Sequence, residues 1–466
     1  MWLVPLTNGL TGLTVSQGRV FAEVGGDFDE FGQAHKEYCI ALSATTGEIL
    51  WSTEIDSQGS SDALNPRLYP DGGVGYDDGP RATPATDGSS VYVLSSYHKL
   101  YRLNATNGAI IWQTNLIAGF GGGVIGWQSA ASPVLENGLI YVNANCGTST
   151  LMAFNAANGA LVWRSQDAAM THSTPVLATM HGVRQLIFST QPGLVSVNPQ
   201  TGGLYWQYPV PYNGISIGSS PLVCDDIVFI TSNYGQGGHA TRISYSNSTF
   251  FATTAWSDAS QESHWSTPVY FQGCIFGTSI PDWAGAELRC VDAATGVTRW
   301  AMPDFGRGGT LLVGTNLLIL TERGDLVLAE ANTNAYVELG RFQAIPGYEP
   351  DFNKCWNVFA ISDGNAYVRS TAYAARYDIG IPALRFDPPQ FTAATKLQFT
   401  IRTVTGADID ADRLTGMQLR ASTNSALPAA LWTQLTNTLV LTNGFIRVTN
   451  VDASAPRRYF IVSEPE

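Results

Sequence analysis

The side chains best suited to chemistry recur at one position of a repeating pattern. Just ahead of the short strand that opens each repeat stand Arg81, Trp127 with Gln128, His172, Gly218, His264 with Trp265, Arg307, and Lys354 with Trp356. Brought to one mouth, three fixed positive charges, two histidines and three tryptophans suit an anionic or planar ligand. The cations would meet carboxylate or phosphate, and the indole faces a ring or a sugar. The same residues also have a plainer use, with indoles filling a channel and cations satisfying carbonyls and nearby acids. His172 and His264 hold comparable positions, which allows metal or acid–base work, while a hydrogen-bonded imidazole needs neither. Glu262 and Asp351 flank the same mouth as an acid and a base in principle. These spacings assign no catalytic residue and no metal site.

Other signals are weaker. Gly119-Phe-Gly-Gly-Gly123 lacks the Lys-Ser/Thr of a phosphate loop and reads better as a lid, together with the long loop Ser52–Gly79. The acids from Asp71 to Asp78 do not match the D-x-D-x-D-G calcium loop. Six scattered cysteines (Cys39, Cys146, Cys224, Cys274, Cys290 and Cys355) contain no C-x-x-C pair, which excludes a zinc ribbon, a redox dithiol and covalent haem. They read as free, buried thiols.

Positioning these residues requires a scaffold, and the scaffold is legible as a repeat. Ser43-Ala-Thr-Thr-Gly47-Glu-Ile-Leu-Trp51 returns as Asn104…Gly108…Trp112, Asn155…Gly159…Trp163, Asn198…Gly202…Trp206 and Asp292…Gly296…Trp300. A short polar residue starts each turn by bonding its own backbone, and glycine takes the positive φ that the hairpin demands. The strand that follows runs apolar into tryptophan. Two more strands precede each turn, as in Ser90–Leu94 with Lys99–Leu103, and before them comes a short strand marked by Pro84, Pro133, Pro175, Pro221 or Pro268. Four strands in that order make one propeller blade. Trp256 belongs to a unit whose turn, Ser244–Thr249, has lost its glycine, and in a seventh unit Phe342 replaces the tryptophan. An eighth begins at Trp356 and lacks its outer strand. Met1-Trp2-Leu-Val-Pro-Leu6 resembles that missing strand, so the N-terminus is expected to close the ring and abolish an open sheet edge.

Composition agrees with strands and turns. The chain has 466 residues, 14% of them charged, 44% hydrophobic, and 47 glycines, which excludes coiled coil and disorder. A net charge of −13 argues against nucleic acid or an anionic membrane as partner, and no apolar run reaches 18 residues. No signal peptide is visible at Met1, and either a signal peptide or a lead-in is expected upstream. Prolines mark residues 380–389 as a linker. Alternating apolar residues in 390–466, with Thr442-Asn-Gly444 as a turn, predict a small β-sandwich outside the repeat.

The Asn/Asp-Ala-x-Thr-Gly-x-x-x-Trp unit resembles the pyrroloquinoline-quinone-like repeat over residues 1–379. That repeat builds eight-bladed propellers in bacterial quinoprotein dehydrogenases and in many non-catalytic relatives, among them the lipoprotein of the outer-membrane β-barrel assembly machinery. The resemblance implies an all-β chain: an eight-bladed propeller over 1–379, a linker over 380–389 and a C-terminal β-module over 390–466. It further implies an exported bacterial protein, outside the cell or in the periplasm, that binds a protein or glycan partner without catalysis or cofactor. The C-terminal part is similar to modules that end secreted bacterial proteins, and self-association through it is an option. Two alternatives remain. One is a quinoprotein-type oxidoreductase with pyrroloquinoline quinone and Ca²⁺ over Trp265 or Trp356, although the adjacent cysteine pair common in such enzymes is absent. The other is a carbohydrate-active enzyme working in the channel.

Overall fold

The computed structural model describes residues 1–28, 34–57, 67–68, 74–75, 79–212, 214, 217–280, 285–409, 411–455 and 457–464. They form two compact units, Met1–Asp378 and Ile379–Glu466. Among the described residues of the first unit there are eight four-stranded antiparallel sheets. Seven are simple meanders, at residues 14–57, 85–115, 134–165, 176–208, 222–258, 269–302 and 309–343. The eighth joins the three strands of residues 360–378 to Trp2–Pro5, with Trp2 opposite Arg376 and Pro5 opposite Tyr373.

Burial explains the strand compositions. The second strand of a sheet is covered on both faces by neighbouring sheets, so it is largely apolar: Leu139–Asn143 and Ser90–Leu94 are buried throughout. Outer strands such as Leu161–Ser165 bury chiefly their tryptophan. All six cysteines are free and buried in this packing.

The repeated glycine and tryptophan meet between sheets. Trp51 Nε1 donates to Ala105 O at 3.1 Å, Trp112 to Ala156 O at 3.0 Å and Trp163 to Pro199 O at 2.9 Å. Each indole lies against the turn glycine of the next sheet. A Cβ on Gly108 would come within 2.6 Å of Trp51, and one on Gly159 within 2.8 Å of Trp112. The glycine is therefore required twice, for its positive φ and for the ring beside it. Trp2 repeats the contact, donating to Ala44 O at 3.0 Å and lying 2.9 Å from a Cβ built on Gly47. Trp206 departs from it. The turn of the next sheet is Asn247-Ser248, both at positive φ, and Trp206 Nε1 turns back to Gln185 Oε1 at 2.7 Å.

Three sequence expectations need correction. The loop expected from Ser52 starts later, because Ile49–Ser57 is strand, and most of residues 58–78, with acids Asp71, Asp77 and Asp78, lies outside the described residues. The glycine run at 119–123 ends a short helix, Leu116–Phe120, capped by the Asn115 side chain and by Gly121 at φ 72°, so it is a helix stop. Within the proline-rich 380–389 stretch, Leu384–Phe386 is a strand paired with Lys396–Thr403. It is an edge strand, where the prolines that follow cost no ladder bond. Among its described residues the second unit holds a five-stranded and a three-stranded sheet over a core of Phe399, Ile401, Leu419, Ile446 and Val448. Its Asn443-Gly444 turn has both residues at positive φ.

Candidate functional site

The segments that lead into the short first strands converge on a cavity of about 540 Å³ in the first unit. Of the residues expected there, Arg81, Trp127, His172, Gly218, His264, Trp265, Arg307 and Trp356 line it. Gln128 and Lys354 do not. Gln128 is buried behind Trp127, with its backbone N–H on Ile125 O at 3.0 Å. Lys354 is fully buried, and its ammonium lies 3.9 Å from the Trp356 ring centroid. It thus supports an indole from within the protein, a cation–π contact strengthened by desolvation.

One wall of the cavity is aromatic. His264 and Trp265 lie 3.8 Å apart by ring centroids, Trp265 and Trp356 4.2 Å, and Tyr234 meets His264 edge-on at 5.1 Å. Tyr234 Oη is 2.7 Å from His264 Nε2, and His172 Nε2 is 2.7 Å from Gly126 O. Burial pushes both imidazoles down, to about 4 for His172 and about 3 for His264, helped by Arg81 and Arg307 respectively. Both are neutral at pH 7. Trp127, φ 69°, and Tyr234, φ 65°, hold a backbone conformation that bulky residues seldom adopt, which is a cost borne to place their rings at the cavity.

The charges are matched. Glu322 accepts from Trp356 Nε1 at 2.7 Å and from the Arg307 backbone N–H at 3.2 Å, and its carboxylate lies 3.5 Å from the Arg307 guanidinium. Arg81 Nη1 donates to Trp127 O at 3.2 Å. Asp351 also lines the cavity, whereas Glu262 is buried and accepts from Gly235 N at 2.6 Å. Three lining cations were expected; the structure presents two guanidiniums with two carboxylates. Glu322 and Tyr234 escaped sequence reasoning because they sit in loops between second and third strands, which carry no repeated motif.

Before four of the five strand-marking prolines the hydroxyl has a role that the sequence showed only as a pattern. Gly12 N donates to Thr83 Oγ1 at 2.8 Å, Thr83 N to Ser132 Oγ at 2.8 Å, Ser132 N to Thr174 Oγ1 at 2.9 Å, and Ser220 N to Thr267 Oγ1 at 2.9 Å. These hydroxyls join adjacent first strands and line the cavity.

Comparison with known proteins adds the following. The family model described as outer membrane protein assembly factor BamB matches residues 35–302. The BamB of Yersinia pestis is 26% identical over 223 residues, 44% of this chain and 50% of that protein. The chain spans only 50% to 58% of the length of the BamB relatives it matches. Among solved structures, quinohemoprotein alcohol dehydrogenase from Comamonas testosteroni matches with a TM-score of 0.55 at 12% identity, over 85% of this chain and 78% of that one. BamB from Moraxella catarrhalis matches with a TM-score of 0.50 at 14% identity, over 81% and 97%. At such identities the two structures speak to fold alone, a β-propeller of pyrroloquinoline-quinone-like repeats.

Proposed function

The chain belongs to the family of outer membrane protein assembly factor BamB, and from that premise we propose a non-catalytic, exported bacterial propeller that serves as a binding scaffold for a protein partner. The family match over residues 35–302 carries this reading. The eight sheets are taken as eight blades, closed by Trp2–Pro5 as outer strand of the last, and residues 390–466 as a β-sandwich module free to mediate attachment or self-association. Two features of the first unit favour binding over catalysis. The cavity imidazoles are neutral and hydrogen-bonded, and Arg307 lies beside Glu322, an arrangement suited to holding a ligand more than to moving protons. The outer strands of the first three sheets each expose an apolar pair, Ile49-Leu50, Ile110-Ile111 and Leu161-Val162. Apolar side chains repeated along a rim suit a protein surface.

The test is purification of the tagged full chain from a fractionated cell. Recovery from the envelope with a co-eluting envelope protein is the expected result. Recovery from the cytoplasm, alone, overturns it.

The adjacent indoles of Trp265 and Trp356, 4.2 Å apart by centroids, favour one other reading, the quinoprotein oxidoreductase. Co-elution of pyrroloquinoline quinone with the chain in Ca²⁺, with a rise in melting temperature, would establish that reading over the scaffold. At 100 times its dissociation constant a ligand adds about 2.7 kcal/mol.

A further inference from the structure

The lining of the cavity is chemically uniform in a way that selects its ligand. Thr83, Ser132, Thr174 and Thr267 each use a lone pair to accept a backbone N–H from the preceding sheet. Among the described residues none of the four donates a hydrogen bond through that hydroxyl. An oxygen that accepts along one direction must direct its own proton along another, so these residues offer cavity-lining O–H donors in search of acceptors. Glu322, beside the aromatic wall, supplies acceptor oxygens. Charge gives little preference for an anion, because the lining holds two guanidiniums, Arg81 and Arg307, and two carboxylates, Glu322 and Asp351, with Arg307 3.5 Å from Glu322.

A neutral ring that carries hydroxyls on its edge and C–H groups on its faces meets all three conditions. We infer that the cavity is a binding site for a neutral saccharide, its ring seated against Trp265 and Trp356 and its hydroxyls exchanged between the Ser/Thr donors and Glu322. About 540 Å³ lies within the range of small-molecule sites. A polyanion such as a quinone tricarboxylate would meet as many carboxylates as guanidiniums among the described lining residues. The inference concerns the cavity and is independent of the partner proposed for the propeller surface.

Titration of the full chain with maltose, cellobiose and N,N′-diacetylchitobiose, followed by tryptophan fluorescence and calorimetry, tests it. Glucuronate and pyrroloquinoline quinone with Ca²⁺ serve as anionic probes. The expected result is saturable binding of at least one neutral disaccharide, weakened at least tenfold (order of magnitude, from loss of a stacking face) in Trp265→Ala. Thr83→Val should weaken it about fivefold and Thr83→Ser should restore it; because serine also restores the bond from Gly12 N, an unchanged melting temperature in Thr83→Val is what separates a lost sugar contact from a structural loss. Trp265→Ala and Thr83→Val are compared with the parent by melting temperature, and Ser220→Ala, whose hydroxyl makes no hydrogen bond among the described residues, serves as a variant safe for folding. Saturable binding confined to the anionic probes overturns the inference, as does failure of all three neutral sugars to bind.

Discussion

Replacing Gly108 with alanine separates the two demands placed on the turn glycine. Gly108 has φ +72°, and a Cβ there would stand 2.5 Å from Thr53 Oγ1 and 2.6 Å from the Trp51 ring. Gly138 has nearly the same backbone, φ +75°, but nothing within 4 Å of a Cβ. Alanine at Gly138 therefore incurs only the left-handed conformation, about 1–2 kcal/mol. At Gly108 it incurs that cost and also overpacks the indole, about 1–3 kcal/mol more. It further disturbs the bonds from Trp51 Nε1 to Ala105 O and from Thr53 Oγ1 to Gly108 O. The two variants should thus differ by about 1–3 kcal/mol, read as a difference in urea midpoint at unchanged slope. Gly159→Ala, facing Trp112, should behave like Gly108→Ala. Equal destabilisation of Gly108→Ala and Gly138→Ala would refute the idea that tryptophan seats on the turn glycine hold the sheets together.

Further outcomes follow from buried charge and exposed apolar surface. Glu23 is fully buried, its carboxyl oxygens have no hydrogen-bond partner among the described residues, and burial with nearby Glu37 raises it well above the usual carboxylate range. Because the folded state holds this proton more tightly than the unfolded chain, Glu23 costs stability as pH rises above the ordinary carboxylate value. Glu23→Gln should accordingly gain in melting temperature over the parent as pH goes from 4 to 8, and parallel profiles would exclude it. His172 and His264 carry the opposite sign: depressed to about 4 and about 3, they favour the folded state above the unfolded histidine value, and that contribution is lost as pH falls from about 6.5 towards 4. Their imidazole NMR shifts should stay those of the neutral ring at pH 5.5, and titration near 6.5 would contradict the burial argument. Leu50→Glu with Ile111→Glu, both on exposed outer-strand positions, should abolish partner retention with little change in melting temperature. Retention at the parental level would move the partner surface elsewhere.

The sequence by itself determined the repeat and what the repeat builds. Ser, Asn or Asp four residues before glycine, and tryptophan four after, specify a turn and an outer strand through local backbone chemistry, and a pattern stated five times is legible without coordinates. The role of Met1–Leu6 followed from the same local likeness, and Trp2 against Gly47 shows the physical contact behind it. Only the tertiary structure decided what the cavity is. Tyr234 and Glu322 enter it from loops that obey no period, and Lys354 leaves it to support Trp356 from behind. The neutrality of His172 and His264 depends on burial by segments distant in the chain, and the pairing of Arg307 with Glu322 on where two loops fall in space. The Ser/Thr before each proline was visible as a recurring letter, but its oxygen acquires a meaning only when the neighbouring sheet brings an N–H within 2.8–2.9 Å. Turn and strand chemistry act over a few residues and can be read along the chain; charge balance and hydrogen-bond direction arise between elements that only folding makes neighbours.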